Sequence, residues 1–275
     1  METPIVSVEW LHLNINDPDL IILDASLPSK VNDEIDNLGQ IQIKNARYFN
    51  LKENFSDQTS VFPSTFPDKK QFETESRKLG INNKSKIIIY DNMGIYSSPR
   101  AWWMYKVMGH HNVAVLNGGL PEWIAKGYKT VPIQKPDTEK GNFTASIDRS
   151  QIKNYPYIKK NIELKQSLLI DARSSERYNG IAPDPRKGLK SGHIPNSINI
   201  PYTSVLKNGK IRNQRELIPI FEKIKHENPK ALTFTCGSGI TACIVLLASE
   251  LVVNTKKSVY DGSWTEWATL EGLVN

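Results

Sequence analysis

Cysteine is scarce in this chain. Cys236 and Cys243 are the two in 275 residues. They stand seven apart on one short stretch, where a disulfide between them is geometrically poor. A disulfide-stapled fold is therefore excluded. Nor do the five histidines gather near the two thiols in sequence, so no metal-ligand set is formed and no cofactor is expected. Long apolar runs are missing too. The longest, Ala242 to Val253, is interrupted by Glu250 and is too short to cross a bilayer. The opening residues Met1-Glu-Thr-Pro-Ile-Val-Ser-Val-Glu-Trp10 show neither the basic start and apolar core of a secretory signal nor an arginine-rich transit pattern. With so little cysteine, the expectation is a cytoplasmic protein with no membrane partner. Charge of one sign is not concentrated either. Thirty-five basic against 29 acidic side chains leave +6, interspersed apart from pairs such as Lys69-Lys70 and Lys256-Lys257. That argues against a nucleic-acid stripe, while the mild excess suits a small anionic substrate.

What is present is an ordinary globular composition, 39% hydrophobic and 23% charged, with 16 Gly and 16 Pro. Leu20-Ile-Ile-Leu-Asp24 and Lys86-Ile-Ile-Ile-Tyr90 read as buried strands. Residues 52–67 read as loop. Lys69 to Leu79 reads as a helix capped by Gly80, and Ser98-Pro99-Arg100 opens another, with proline in its first turn. The second half repeats the first. Ser167-Leu-Leu-Ile-Asp171 matches Leu20 to Asp24, Leu232-Thr-Phe-Thr-Cys236 matches Ile87 to Asp91, and Val259-Tyr-Asp-Gly-Ser-Trp-Thr-Glu-Trp267 matches Val115 to Trp123, at offsets of 147, 145 and 144. A repeat this long is a duplicated domain. Strands alternating with helices predict an α/β fold in which each copy has a mostly parallel central sheet flanked by helices. The predicted domains are residues 1–132 and 148–275, joined by a polar linker over 133–147 that contains Pro136 and Gly141.

The copies differ where chemistry is concerned. Thr235-Cys236-Gly237-Ser238-Gly239-Ile240-Thr241 lies between a β-rich apolar run and a helix-like one. A strand, a glycine loop and a helix start make an anion-binding turn, and a cysteine on its rim has its thiolate stabilised. Cys236 is the predicted nucleophile, with Gly237, Gly239, Ile240 and Thr241 supplying backbone N–H groups. Cys243 reads as core packing. The first copy has Asp91-Asn-Met-Gly-Ile-Tyr instead, and aspartate cannot do thiolate chemistry. That copy is predicted to be catalytically inactive. A cysteine phosphatase would place arginine six positions after the cysteine, where this chain has Ala242, so the bowl suits a smaller or less charged anion than phosphate.

These residues resemble the rhodanese-like sulfurtransferases. Cys236-Gly-Ser-Gly-Ile-Thr241 is similar to the active loop of the 3-mercaptopyruvate form. Thiosulfate-preferring members typically carry basic residues after the cysteine. Ser191-Gly-His193-Ile-Pro195 resembles the family's Gly-His-Ile-Pro segment, Tyr260 to Trp267 its C-terminal signature, and Tyr96 to Trp103 with Asn117-Gly-Gly-Leu120 its inactive N-terminal domain. The resemblance implies two tandem rhodanese-like domains, the second catalytic. It implies sulfur transfer from 3-mercaptopyruvate through a Cys236 persulfide to a thiol acceptor (thioredoxin-like or low-molecular-weight) or cyanide. Thiosulfate is the alternative donor, and a protein persulfide carrier the non-enzymatic alternative.

By the same resemblance Arg177 and Arg186 bind the donor carboxylate, and Ser238 handles a proton at the cysteine; from the residues alone Ser238 reads equally as a helix N-cap or loop hydrogen bond. Arg186 falls in a span four residues longer than its first-half counterpart, Asp171 to Ser197 against Asp24 to Ala46. Arg173 and Lys187 read as ordinary surface charges, and His193 as a turn-ordering side chain. One departure stands out. Lys52 and Ser64 occupy the places where animal members carry an Asp and a His of a proton relay.

Overall fold

The computed structural model describes residues 1, 3–28, 38–134, 137–227 and 229–274. Pro136 of the expected linker lies outside them. The chain divides into two compact units. The first is built from 1–58 and 66–147 with 208–211, and the second from 148–207 and 212–275 with 59–65.

In the first unit the strands Ile5–Val6, Val113–Leu116, Lys86–Tyr90, Leu20–Asp24 and Arg47–Tyr48 lie side by side in that order, all parallel. In the second the order is Ser197–Asn199, Leu168–Asp171, Ala231–Thr235, Lys256–Tyr260 and Ile152–Lys153, again all parallel. Matched through the sequence repeat, the two orders are the same. Parallel pairs need crossovers, and the helices that make them cover both faces of a sheet. That is why Ile87, Ile88, Ile89 and Tyr90 run consecutively at 0% exposure rather than alternating.

The helices that follow the two central strands obey the same logic. Ser98–Val107 begins with proline in its first turn and buries all but Lys106. Ala242–Glu250 buries Ala242 through Ser249, as expected of a helix apolar on every side. Cys243 sits in it at 0% exposure, its thiol donating to the Gly239 carbonyl at 3.3 Å; this is core packing. Among the described residues no helix is long and apolar enough to cross a membrane.

In each sheet the neighbouring strands end together, so Asp24 lies beside Tyr90 in one unit and Asp171 beside Thr235 in the other. The loops leaving these ends share one edge. Open parallel sheets place their ligands at that edge.

Candidate active site

Cys236 follows directly on the strand Ala231–Thr235 and is 2% exposed. The loop from Cys236 to Thr241 then turns the chain into the helix. Gly239 makes that turn at φ +79°, where a side chain would be strained. The backbone N–H groups of Gly237, Ser238, Ile240 and Thr241 donate to no acceptor among the described residues. Four unspent donors beside one sulfur make an anion site.

The first unit shows what such a bowl holds. Asp91 stands at the matching position, fully buried. Its carboxylate accepts the N–H of Met93 at 3.0 Å, Tyr96 at 2.9 Å, Ser97 at 3.1 Å and Ser98 at 2.9 Å, and the Ser98 hydroxyl at 2.6 Å. There the anion is supplied by the chain. Met93 and Tyr96 correspond to Ser238 and Thr241, whose amides are unspent.

The second unit's loop is pinned from behind. Cys236 N–H donates to Ser263 Oγ at 3.3 Å, and that hydroxyl donates to the Tyr260 carbonyl at 2.9 Å. Trp264 N–H donates to the Cys236 carbonyl at 3.0 Å, and Thr265 gives the Gly237 carbonyl both its N–H at 3.1 Å and its hydroxyl at 2.6 Å. The segment Asp261-Gly-Ser-Trp-Thr265 therefore fixes the loop from outside. Ser263 and Thr265 were not singled out from the sequence. Their signal was the repeated Gly-Ser-Trp/Gly-Gly-Leu turn, which marks a fixed backbone geometry but not what it touches.

Arg177 and Arg186 both reach the cysteine loop. A β-carbon built on Gly237 would stand 2.8 Å from Arg186 Nη1 and 3.4 Å from Arg177 Nη2. Glycine at 237 thus leaves room for two guanidinium groups against the residue that follows Cys236. What brings them together is Asp184, whose side chain has no exposure. Arg177 Nη2 donates to Asp184 Oδ2 at 2.6 Å, Arg186 Nη1 lies 3.5 Å from Oδ1, and the Arg186 N–H donates to Oδ1 at 3.0 Å. Pro183 and Pro185 flank this aspartate and restrict its backbone. Arg177 Nε is buried with no acceptor among the described residues, a donor left for a ligand.

Two further readings are corrected, those of Arg173 and of Ser238 as a cap. Arg173 is no surface charge. It is 1% exposed, its Nη2 donates to Asp171 at 2.6 Å and to the Gly192 carbonyl at 2.6 Å, and its guanidinium lies 4.4 Å from the Trp264 ring centroid. It ties the sheet end, the Gly192 turn and the pinning segment into one scaffold. Ser238 is not the helix cap. That position is Thr241, without a capping side-chain bond, and Ser238 is half-buried with no hydrogen-bond partner among the described residues. His193 donates its Nδ1–H to the Tyr178 carbonyl at 3.0 Å and stacks on the Tyr178 ring at 4.1 Å, which orders its turn. Lys187 is exposed. Lys52 is exposed in the first unit, and Ser64 takes a left-handed φ of +59° in the 59–65 segment. A cavity of about 730 Å³ opens in the first unit around Asp24, Tyr48, Asn54 and Lys78. It contains no thiol, so chemistry rather than size locates the site.

The Rhodanese-like domain family matches residues 7–126 and 155–270. The chain belongs to that family. Thiosulfate/3-mercaptopyruvate sulfurtransferase 1, mitochondrial, of Arabidopsis thaliana is 38% identical over 98% of this chain and 77% of its own length. The 3-mercaptopyruvate sulfurtransferase of Mus musculus is 36% identical over 96% of this chain and 91% of its own. The crystal structure of SseA from Escherichia coli, a 3-mercaptopyruvate sulfotransferase, superimposes with a TM-score of 0.83 at 31% identity, covering 95% of this chain and 99% of that one. Both units are rhodanese-like domains, and the protein is an enzyme of the sulfurtransferase type. Where the second of these domains opens its loop with Cys236, the first has Asp91.

Proposed function

We propose that this sulfurtransferase takes sulfur from 3-mercaptopyruvate onto Cys236 and passes it to a thiol or to cyanide. The Cys236 thiolate attacks the donor sulfur. The carbon–sulfur bond breaks, its electron pair leaves on the pyruvate carbon as an enolate, and the proton of the donor thiol moves to that carbon. Pyruvate departs and a Cys236 persulfide anion remains. The loop N–H groups of Gly237, Ser238, Ile240 and Thr241 meet the charge on the outer sulfur. Ser238, whose hydroxyl has no hydrogen-bond partner among the described residues, carries that proton from the donor thiol to the enolate carbon. An acceptor thiolate or cyanide then attacks the outer sulfur and restores the Cys236 thiolate.

The observation that carries the choice of donor is the approach of Arg177 and Arg186 to Gly237, the residue after the nucleophile. Guanidinium groups bind a carboxylate bidentately, and here they occupy the space a basic side chain at 237 would need. The mitochondrial Arabidopsis relative carries both donors in its name, so similarity does not choose between them. Steady-state kinetics do. Mercaptopyruvate is expected to give the higher kcat/KM, and Arg177→Ala and Arg186→Ala to lower it by about 10²-fold each, chiefly through KM. A parent enzyme that turns over thiosulfate faster than mercaptopyruvate would overturn this reading.

A further inference from the structure

We propose that Asp184 sets the charge the donor site accepts. As a positioning residue it holds Arg177 and Arg186 together, and as a fixed negative charge it cancels one of their two positive charges. The inference rests on the mercaptopyruvate reading and extends it to donor selectivity.

Two guanidinium groups converging on Gly237 repel each other. A carboxylate between them removes that cost. Asp184 is built for this place. Its side chain is fully buried, one oxygen takes Arg177 at 2.6 Å, and the other takes the Arg186 N–H at 3.0 Å with Arg186 Nη1 at 3.5 Å. The prolines on either side leave it little freedom to turn away. The arginines are only partly spent by the pairing. Arg177 keeps a buried Nε–H with no acceptor among the described residues, and Arg186 Nη2 stands 3.3 Å from the β-carbon position of Gly237.

The cluster therefore carries two positive charges and one negative. One positive charge remains for the donor, and one carboxylate matches it. A dianion such as thiosulfate brings a second charge with no partner, in a half-buried setting where unmatched charge is costly. Selection then works by refusal of the wrong charge as well as by attraction of the right one. The missing arginine or lysine after Cys236 acts in the same direction. Asp184 adds a component that lies outside the loop.

The test is the ratio of kcat/KM for mercaptopyruvate to that for thiosulfate, measured on parent, Asp184→Asn and Asp184→Glu. Asp184→Asn adds one positive charge facing the donor and frees the arginines. The dianion gains about twice what the monoanion gains, and the ratio is expected to fall roughly tenfold toward thiosulfate. Asp184→Glu keeps the charge and moves it by one methylene. Its KM for mercaptopyruvate is expected to rise while the ratio stays within about threefold of the parent. A parallel loss for both donors in Asp184→Asn means a structural role only and overturns the proposal. So does a tenfold fall of the ratio in Asp184→Glu, which decides the matter even if the Asn variant does not fold. A parent with no mercaptopyruvate turnover is a separate result; it refutes the donor reading and not the charge count.

Discussion

Two strand–loop–helix turns of one chain, related by a 145-residue offset, face the same electrostatic problem and answer it differently. Each follows its central strand with a residue that opens a loop of backbone N–H groups. In the first unit that residue is Asp91, and its carboxylate takes four amides and a hydroxyl. In the second it is Cys236, and the equivalent amides of Ser238 and Thr241 have no protein acceptor among the described residues. The first turn is finished when the chain has folded. The second is finished only when sulfur is charged. The difference teaches that the bowl is a property of the backbone, and that catalysis begins where the side chain stops short of filling it.

The sharpest way to break the comparison is to make the second loop copy the first. Cys236→Asp is expected to abolish persulfide formation, lowering transfer by at least about 10³-fold. Mass spectrometry after exposure to donor would show no added sulfur. The carboxylate should meanwhile accept the loop amides, so Tm is expected to be no lower than that of the parent. A marked drop in Tm would mean that the loop amides of the second unit are not arranged as those around Asp91 are.

The reverse operation empties the filled bowl. Asp91→Ala leaves the amides of Met93, Tyr96, Ser97 and Ser98 facing a void in a site with 0% exposure. Unpaired buried donors cost about 1–3 kcal/mol each before relaxation, and water entering the void recovers part. A loss of about 3–4 kcal/mol is expected in denaturant unfolding. Asp91→Asn, which keeps an acceptor but adds a donor, should lose less. Equal losses in the two variants would show that volume, not hydrogen bonding, holds the first turn.

The sequence made one side of this contrast legible and hid the other. Cys236 stood out because an apolar strand, two glycines and an apolar helix bracket it, and because the repeat put Asp91 against it. Arg177 and Arg186 could be named, but their convergence could not. Their common partner Asp184 lies seven residues after one and two before the other, inside a proline-rich loop with no periodicity to read. The burial of Arg173 is hidden in the sequence for a related reason. Its acid, Asp171, is two residues back on the end of a strand, and its aromatic partner Trp264 comes from the far end of the chain. A short-range pattern shows a basic residue after a strand, which is ordinary surface grammar; only the crossing of distant segments makes it a buried pair.

The finest contrast lies behind the loops. Ser263 and Gly119 are matched by the repeat, and both take φ +53°. A β-carbon on Gly119 would collide with the backbone carbonyls of Asp91 and Gly94, so the first unit tolerates no side chain there. The second unit holds a serine in the same strained region and uses it: the hydroxyl accepts the Cys236 N–H and donates to the Tyr260 carbonyl. Strain of this kind persists where surrounding structure over-determines it, often at a functional site. Ser263→Ala keeps the strain and removes the bond, leaving the Cys236 amide unpaired at a cost of about 1–2 kcal/mol. Ser263→Gly removes both, and relief of the strain offsets part of that cost. The expected order of Tm is parent, then Gly, then Ala, with kcat/KM lowered severalfold for mercaptopyruvate and thiosulfate alike, because the amide lies behind the nucleophile and not at the donor. If Ala matches the parent in both readouts, the hydroxyl does not hold the cysteine, and the difference between Ser263 and Gly119 reduces to the space each unit leaves for a β-carbon.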